Sequence, residues 1–291
     1  MNRTPPLLKA LGLQPHFVRL ARLTQQELPK ANISVAYLLR GFVEGEWKSQ
    51  SSRHAHYTID ARKYWPAHMR AMNALRAQRV DAFFVTYPSQ AGHCRMTAKR
   101  WQCDSMIDWA RSHSKEVYTL SPAFASQFGT AAAGLQGLPI YDAYVITRID
   151  IEYAESFASL LRRLPLALRS VTATHQESGS FVNDVWWSFP HSLRRAVQTF
   201  LNTTAWCVWC PDGMWPSRQD AYKPGVPFPG CPALLPPSGC TWGRTAHLIH
   251  HFDPEKLPVH VLWPERFLVS ETNPLYVLAG GPSLSQDHKR E

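Results

Sequence analysis

Long apolar runs are missing from this chain. Nothing in it approaches the roughly 20 consecutive apolar residues that a membrane-spanning helix requires, so no membrane span is expected. Acidic residues are absent before Glu27, while Arg3, Lys9, Arg19 and Arg22 alternate with Pro5, Pro6 and Pro15. Residues 1–32 are therefore read as a short amphipathic lead-in without a signal peptide, a transit peptide being the alternative, and a cytoplasmic protein is expected. Cysteine is sparse: Cys94, Cys103, Cys207, Cys210, Cys231 and Cys240 do not make a disulfide-dense scaffold in 291 residues. No block of five or six like charges occurs, and no basic stripe is interleaved with aromatics. The 31 Lys and Arg against 22 Asp and Glu thus give a formal charge of +9 that is spread out, favouring phosphate-bearing ligands over nucleic acid. Phosphate-loop, G-x-G-x-x-G, G-x-S-x-G and H-E-x-x-H patterns are all absent, as is any internal repeat.

What the chain does have is core material, 45% hydrophobic and 12% aromatic residues. Apolar runs at residues 33–39, 80–86, 116–120, 141–151 and 259–263 read as strands, as does the aromatic run at 184–189. Between them, 64–79, 106–112, 156–168, 191–201 and 244–252 carry helical spacing; Trp65, Met69, Met72 and Leu75 form one such stripe. Pro66 falls near the expected start of its helix, where a missing N–H costs least. Residues 44–56 read as an exposed polar loop, and 121–138 as a small-residue connection, helical at best in part. Between 207 and 243 eight prolines, five glycines and four cysteines mark a long ordered loop or insertion. The alternation predicts a single α/β domain over 33–291, with a mainly parallel sheet covered on both faces and a Pro/Cys-rich insertion at about 205–243. Ligands of such sheets sit at the carboxyl ends of the strands. Arg40-Gly41, Thr86-Tyr87 and Arg148-Ile149-Asp150 all lie at or near such ends.

Five segments extend that pattern: Leu39-Arg40-Gly41-Phe42, Tyr57-Thr58-Ile59-Asp60, Val80-Asp81 through Thr86-Tyr87, Tyr141-Asp142 through Arg148-Ile149-Asp150, and Asn183-Asp184-Val185-Trp186. In order and spacing they resemble GT-A-like (Rossmann-like) proteins of large DNA viruses, algae and bacteria. The resemblance covers about residues 33–200, with an echo in the stretch from Ser270 to Tyr276. It implies a glycosyltransferase that uses a nucleotide-sugar donor and a glycan or other hydroxyl acceptor. A divalent cation, Mn²⁺ or Mg²⁺, would bridge the pyrophosphate.

The family's Asp-x-Asp falls on Arg148-Ile149-Asp150, where a base replaces the first acid. Asp150 would give the metal one carboxylate, and Arg148 would neutralise phosphate through its planar fork of donors. Without the resemblance, Asp150 is a turn residue at a strand end. Arg40, Gly41 and Thr86 would line the nucleotide pocket. Asp184 would be the base of an inverting reaction, or else a turn residue before an aromatic strand. His250, with His247 or His251 on one helical face, would be the family's C-terminal metal ligand, or else an exposed helix histidine. Cys207 and Cys210 have the spacing of half a structural zinc site, but Cys231 and Cys240 do not complete it, and unpaired thiols are the plainer reading. Trp186, Trp187, Trp206, Trp209 and Trp215 suit either a sugar platform or the core. A second reading is a non-catalytic basic module on a degenerate GT-A scaffold, binding nucleic acid or glycans.

Overall fold

The computed structural model describes residues 18–41, 43–48, 56–86, 100–120, 127–164, 170–175, 185–207, 259–263 and 275–278. Among the described residues there are twelve strands: β1 Val18–Leu20, β2 Ala31–Arg40, β3 Glu44–Lys48, β4 His56–Asp60, β5 Ala77–Thr86, β6 Glu116–Thr119, β7 Ala143–Arg148, β8 Ile151–Tyr153, β9 Val171–His175, β10 Trp186–Pro190, β11 Val259–Trp263 and β12 Tyr276–Leu278. The helices are α1 Ala61–Ala74, α2 Arg100–His113, α3 Gln127–Gly137, α4 Glu155–Arg162 and α5 Arg194–Cys207, the last entered through a 3₁₀ turn at His191–Leu193.

An eight-stranded sheet runs in the order β1-β11-β9-β10-β7-β2-β5-β6. Its strands are parallel except β10, which lies antiparallel to both β7 and β9. The expected mainly parallel α/β sheet is therefore present. Strand alternation divides the core in two. Val35, Tyr37 and Leu39 of β2 pack on one face with Phe84, Ala71, Met72, Met106 and Phe157, beneath α1, α2 and α4. Ala36 and Leu38 pack on the other with Phe83, Val85, Ala131, Leu135, Val197 and Leu201, beneath α3 and α5.

Local chemistry explains most boundaries. Asp60 caps α1 by accepting from the Arg62 backbone N–H at 3.0 Å. This start at Ala61 puts Pro66 in the second turn rather than the first, at the cost of one helical hydrogen bond. The helix ends at Leu75, and Arg76 takes a left-handed backbone at φ 55°. Residues 44–56 are not all loop. β3 and β4 form an antiparallel pair, Glu44 opposite Asp60 through Lys48 opposite His56. Helix α3 forms in the segment expected to be only partly helical. Its Gly134 explains the composition: a Cβ there would stand 2.8 Å from Leu38 Cδ2 and 2.9 Å from Val85 Cγ1. Only a residue without a side chain lets α3 approach the sheet so closely.

Part of the lead-in joins the sheet. β1 pairs in parallel with β11, and the N–H groups of Thr24 and Leu28 donate to the carbonyls of Arg163 and Arg162. The helix expected at 244–252 and the insertion beyond Cys207 lie outside the described residues. No helix among the described residues is long and apolar enough to cross a membrane.

Candidate functional site

Because β5, β2 and β7 are adjacent and parallel, their carboxyl ends share one edge. Arg40 sits in register with Val85 on one side and Arg148 on the other. Two hydrogen bonds tie the strand ends together: Ile149 N–H donates to the Arg40 carbonyl at 3.0 Å, and Gly41 N–H to the Val85 carbonyl at 3.1 Å. Gly41 has φ +125°, a backbone that side-chain-bearing residues rarely adopt, with open space where a Cβ would stand. Its requirement is conformational: it turns the chain immediately after Arg40.

Directly paired residues of parallel strands face the same way, so Arg40 and Arg148 both follow Leu38 and Ile146 onto the α3 face. Arg40 is only 5% exposed. Arg148 forks onto Asp150, Nε donating to Oδ1 at 2.9 Å and Nη2 to Oδ2 at 2.7 Å. Their side chains retain 23% and 14% of their exposure. Burial alone would raise the Asp150 carboxyl. The Arg148 charge and hydrogen bonds, a backbone N–H and the Arg40 charge outweigh it, and the group lies below the usual carboxylate value. Helix α3 follows β6 and precedes β7, so it runs against the strands and directs its amino end, the positive pole of its dipole, toward this edge.

A buried polar relay fixes the turn between Arg148 and Asp150. His68 of α1 lies 3.0 Å from both the Ile149 carbonyl, through Nε2, and the Tyr37 hydroxyl, through Nδ1. A carbonyl only accepts, so Nε2 carries the proton and Tyr37 donates to Nδ1. Burial raises Tyr37 well above the usual phenol value, with the neighbouring Tyr153 adding to it, so it stays a donor. Burial also holds His68 down to about 4, although the Ile149 carbonyl and the Asp150 charge pull the other way. Below the turn, Tyr153 stacks on Phe157 at 4.4 Å and meets His68 and Trp186 edge-on, while its hydroxyl bonds Thr147. β12 pairs with β8 just beyond Asp150, bringing Tyr276, and with it the end of the C-terminal echo, beside Tyr153.

His68 makes stability depend on pH in a definite direction. The unfolded imidazole titrates near 6.5 and the folded one near 4, so between these values the unfolded chain binds the extra proton. The contribution of His68 is full above pH 6.5 and falls as pH drops toward 4, by about 3 kcal/mol in all. Urea denaturation at stepped pH measures the slope. His68→Gln is expected to flatten it.

The other expected residues fare differently. Thr86 ends β5 on the same edge, but alternation turns its side chain onto the α1 face with Ala82 and Phe84. Its hydroxyl is fully buried and has no partner among the described residues. Arg40, Gly41, Arg148 and Asp150 are thus brought together, and Thr86 lies behind them. Trp186 opens β10 opposite Thr147 at this edge and is wholly buried, which answers for core rather than for an exposed platform. Trp187 is likewise buried. Asp184, His250 and Cys210 lie outside the described residues, as does the side chain of Cys207. Sequence reading missed His68; its signal was its helical spacing from Ala61, Ala71, Ala74 and Leu75, the small-residue face that α1 buries.

Two features belong to the opposite edge. Asp81 accepts there from Arg79, from Tyr141 and from Lys115 at 3.3 Å, joining β5, the β6 approach and the β7 approach. A cavity of about 410 Å³ lined by Lys30, Trp65, Met69, Asn73, Gln78 and His113 also opens there, between α1 and the start of β5. Neither touches Arg148 or Asp150.

No protein-family model matches the chain, and no curated protein does. Among solved structures it is similar to a mannosyltransferase, PcManGT from Pyrobaculum calidifontis, in complex with GDP-Man and Mn²⁺, at TM-score 0.37 and 9% identity. That match covers 68% of this chain and 61% of the mannosyltransferase, less than two thirds of its length. Mouse xyloside xylosyltransferase 1 in its apo form is similar at TM-score 0.30 and 12% identity, over 80% of this chain and 85% of that one. Both are glycosyltransferases, and the likeness concerns the α/β fold alone.

Proposed function

We propose that the chain is a glycosyltransferase that takes a nucleotide-diphospho-sugar as donor and passes the sugar to a hydroxyl acceptor. The observation that carries this reading is the meeting of Arg40 with Arg148 and Asp150 at the carboxyl edge of adjacent strands. Two of the segments that bear the family resemblance end there, and the edge is where this class of sheet holds ligands. A buried guanidinium beside a partly exposed one answers to an anion that spreads its charge over several oxygens, as a diphosphate does.

In the reaction, the bond between the sugar's anomeric carbon and the diphosphate oxygen breaks, and its electron pair stays on the diphosphate. Arg40 and Arg148 stabilise the charge that grows there, without reorganising, because Asp150 and the strand register already hold them. The acceptor oxygen forms the new bond to the anomeric carbon. In an inverting reaction its proton passes to a carboxylate, the part given to Asp184.

The described residues do not by themselves complete a site for the divalent cation implied by the resemblance. A hard cation needs several oxygen ligands, and among the described residues Asp150, the expected carboxylate ligand, is already forked by a guanidinium, while Asp184 and His250 lie outside them. Among the described residues no three His, Cys, Asp or Glu side chains stand together as a metal would require.

Thermal melting with a panel of nucleoside diphosphates tests the binding half of the reading. At least one is expected to raise the melting temperature in a concentration-dependent way, because a ligand of the folded state stabilises it by mass action. No rise with any of them, with or without Mn²⁺, contradicts the reading.

A further inference from the structure

We propose that the cavity between α1, the carboxyl end of α2 and the start of β5 is a carbohydrate site, which anchors the acceptor glycan away from the donor edge. That the occupant is the acceptor rests on the reading of the chain as a glycosyltransferase. That the cavity takes a sugar ring rests on its own residues.

The cavity accounts for a departure from the expected burial of α1. Trp65, Met69 and Met72 follow helical spacing, yet Met69 is 39% exposed. With Trp65 and Met72 it lines the cavity instead of entering the interior. Trp65 is half-buried and held in place: Phe84 tilts against it at 5.9 Å, while Trp109 at 5.9 Å and His113 at 5.7 Å meet it edge-on. His113 is fixed in turn, stacked on Trp109 at 4.7 Å with Nδ1 donating to the Trp109 carbonyl at 2.8 Å. The aromatic wall is therefore built before any ligand arrives.

The rim is polar and carries little charge. Asn73 and Gln78 present amides and Lys30 an ammonium, and these side chains have no hydrogen bond or ion pair among the described residues. The other charges nearby are turned elsewhere or paired. Alternation along β5 puts Gln78, Val80 and Ala82 on the α1 face and Arg79 and Asp81 on the opposite one. Arg76 pairs with Glu27 and Arg111 with Asp108.

At about 410 Å³ the cavity falls within the roughly 300–1,000 Å³ of small-ligand sites, and an apolar floor with a few convergent polar groups is their usual make-up. The class of occupant follows from that division. It has an apolar face to cover Trp65 and Met69, bordered by neutral groups that both donate and accept, as the two amides do. A pyranose ring is divided in this way, with C–H groups across one face and hydroxyls around its edge. A small dianion would meet a single ammonium here. A flat nucleobase would favour a second aromatic plane parallel to the first, whereas His113 stands at 82° to Trp65. Between Gln78 and Thr86, β5 runs roughly 25 Å, so an occupant that reaches both this cavity and the donor edge is an extended glycan rather than a monosaccharide.

Saturation-transfer NMR and isothermal titration of the full chain with maltose, cellobiose, lactose, mannobiose and xylobiose test the proposal, beside the nucleoside diphosphate melting panel. At least one disaccharide is expected to bind. The Asn73→Ala, Gln78→Ala double variant should weaken it by about tenfold or more and leave the nucleoside diphosphate shift unchanged. Both side chains are exposed, so this variant should melt as the unmodified chain does. Trp65→Phe, which keeps an aromatic ring against Phe84 and Trp109 but shrinks the platform, should weaken binding as well. No disaccharide bound, or one bound equally by the double variant, overturns the cavity site, and a diphosphate shift that persists in either case leaves the donor reading standing. Loss of the diphosphate shift in the double variant also overturns it, because the cavity would then be the nucleotide's. Disaccharide binding lost only in these variants, by a chain that no nucleoside diphosphate stabilises, supports the sugar site and contradicts the donor reading.

Discussion

Asp150→Asn is expected to lower donor turnover by at least tenfold while the protein still unfolds cooperatively, its melting temperature lower by only a few degrees. The substitution keeps the shape of the side chain. It replaces one carboxylate oxygen with an NH₂ that cannot accept, so one arm of the Arg148 fork, now 2.7–2.9 Å long, is lost and the other becomes neutral. A charge-assisted hydrogen bond contributes about 1.5–3 kcal/mol. Spent in the transition state, that range corresponds to roughly ten- to a hundredfold or more in rate. The fold suffers less because Asp150 sits at the sheet edge, 14% exposed, and Ile149, not Asp150, carries the bonds to β2 and α1. Initial rates across a nucleotide-sugar panel, with a melting curve for each variant, measure both effects. Unchanged turnover would reduce Asp150 to a residue that merely ends β7.

His68→Ala is expected to have the larger effect on stability, a loss of about 3–5 kcal/mol. The ring is 1% exposed and enclosed by Tyr37 and Tyr153, so its removal leaves a cavity rather than a surface dimple. It also leaves the Tyr37 hydroxyl and the Ile149 carbonyl without the partners they have now. Tyr37→Phe keeps the rings and removes only one donor, so it should cost about 1–2 kcal/mol. If the relay positions the Arg148–Asp150 turn, nucleotide affinity falls with His68→Ala and much less with Tyr37→Phe. Urea denaturation of both variants and of the double variant separates packing from hydrogen bonding. A His68→Ala loss below about 1 kcal/mol would mean that α1 closes over the gap and that the turn does not depend on it.

How far the site was legible in the sequence follows from what each segment needs from the rest of the chain. Apolar runs such as Val35–Leu39 and Val80–Val85 are strands because both faces are buried, and that condition is written into the run itself. Their polar successors, Arg40 and Thr86, are therefore assignable to one edge from the sequence, as is Arg148 in the run at 141–151. The pairing of β3 with β4 was not legible, because Glu44, Glu46 and Lys48 resemble a loop until His56 to Asp60 lies alongside. Helix α3 was obscured by its own function. Gly129, Gly134 and Gly137 weaken helix propensity, and the close packing that rewards Gly134 depends on Leu38 and Val85, remote in sequence. His68 was passed over because the large residues Trp65, Met69 and Met72 suggested the buried stripe. Met72 and Leu75 of that stripe are buried and Trp65 packs on the core, but Met69 is left 39% exposed and the rest of the face that α1 buries is alanine around His68. The fork depends on where β7 ends, which the single run at 141–151 does not mark. The chain instead leaves β7 after Arg148 and turns before β8.

The central claim is that the carboxyl edge bearing Arg40 and Arg148 handles the diphosphate of a sugar donor. The measurement that meets it most directly is release of nucleoside diphosphate from a panel of nucleotide sugars, by the unmodified chain and by an Arg40→Gln, Arg148→Gln double variant. The unmodified chain is expected to turn over at least one donor, and the double variant, folded by its melting curve, to turn over none measurably. A donor processed equally well by both, or no donor processed by the unmodified chain under any condition, would contradict the account.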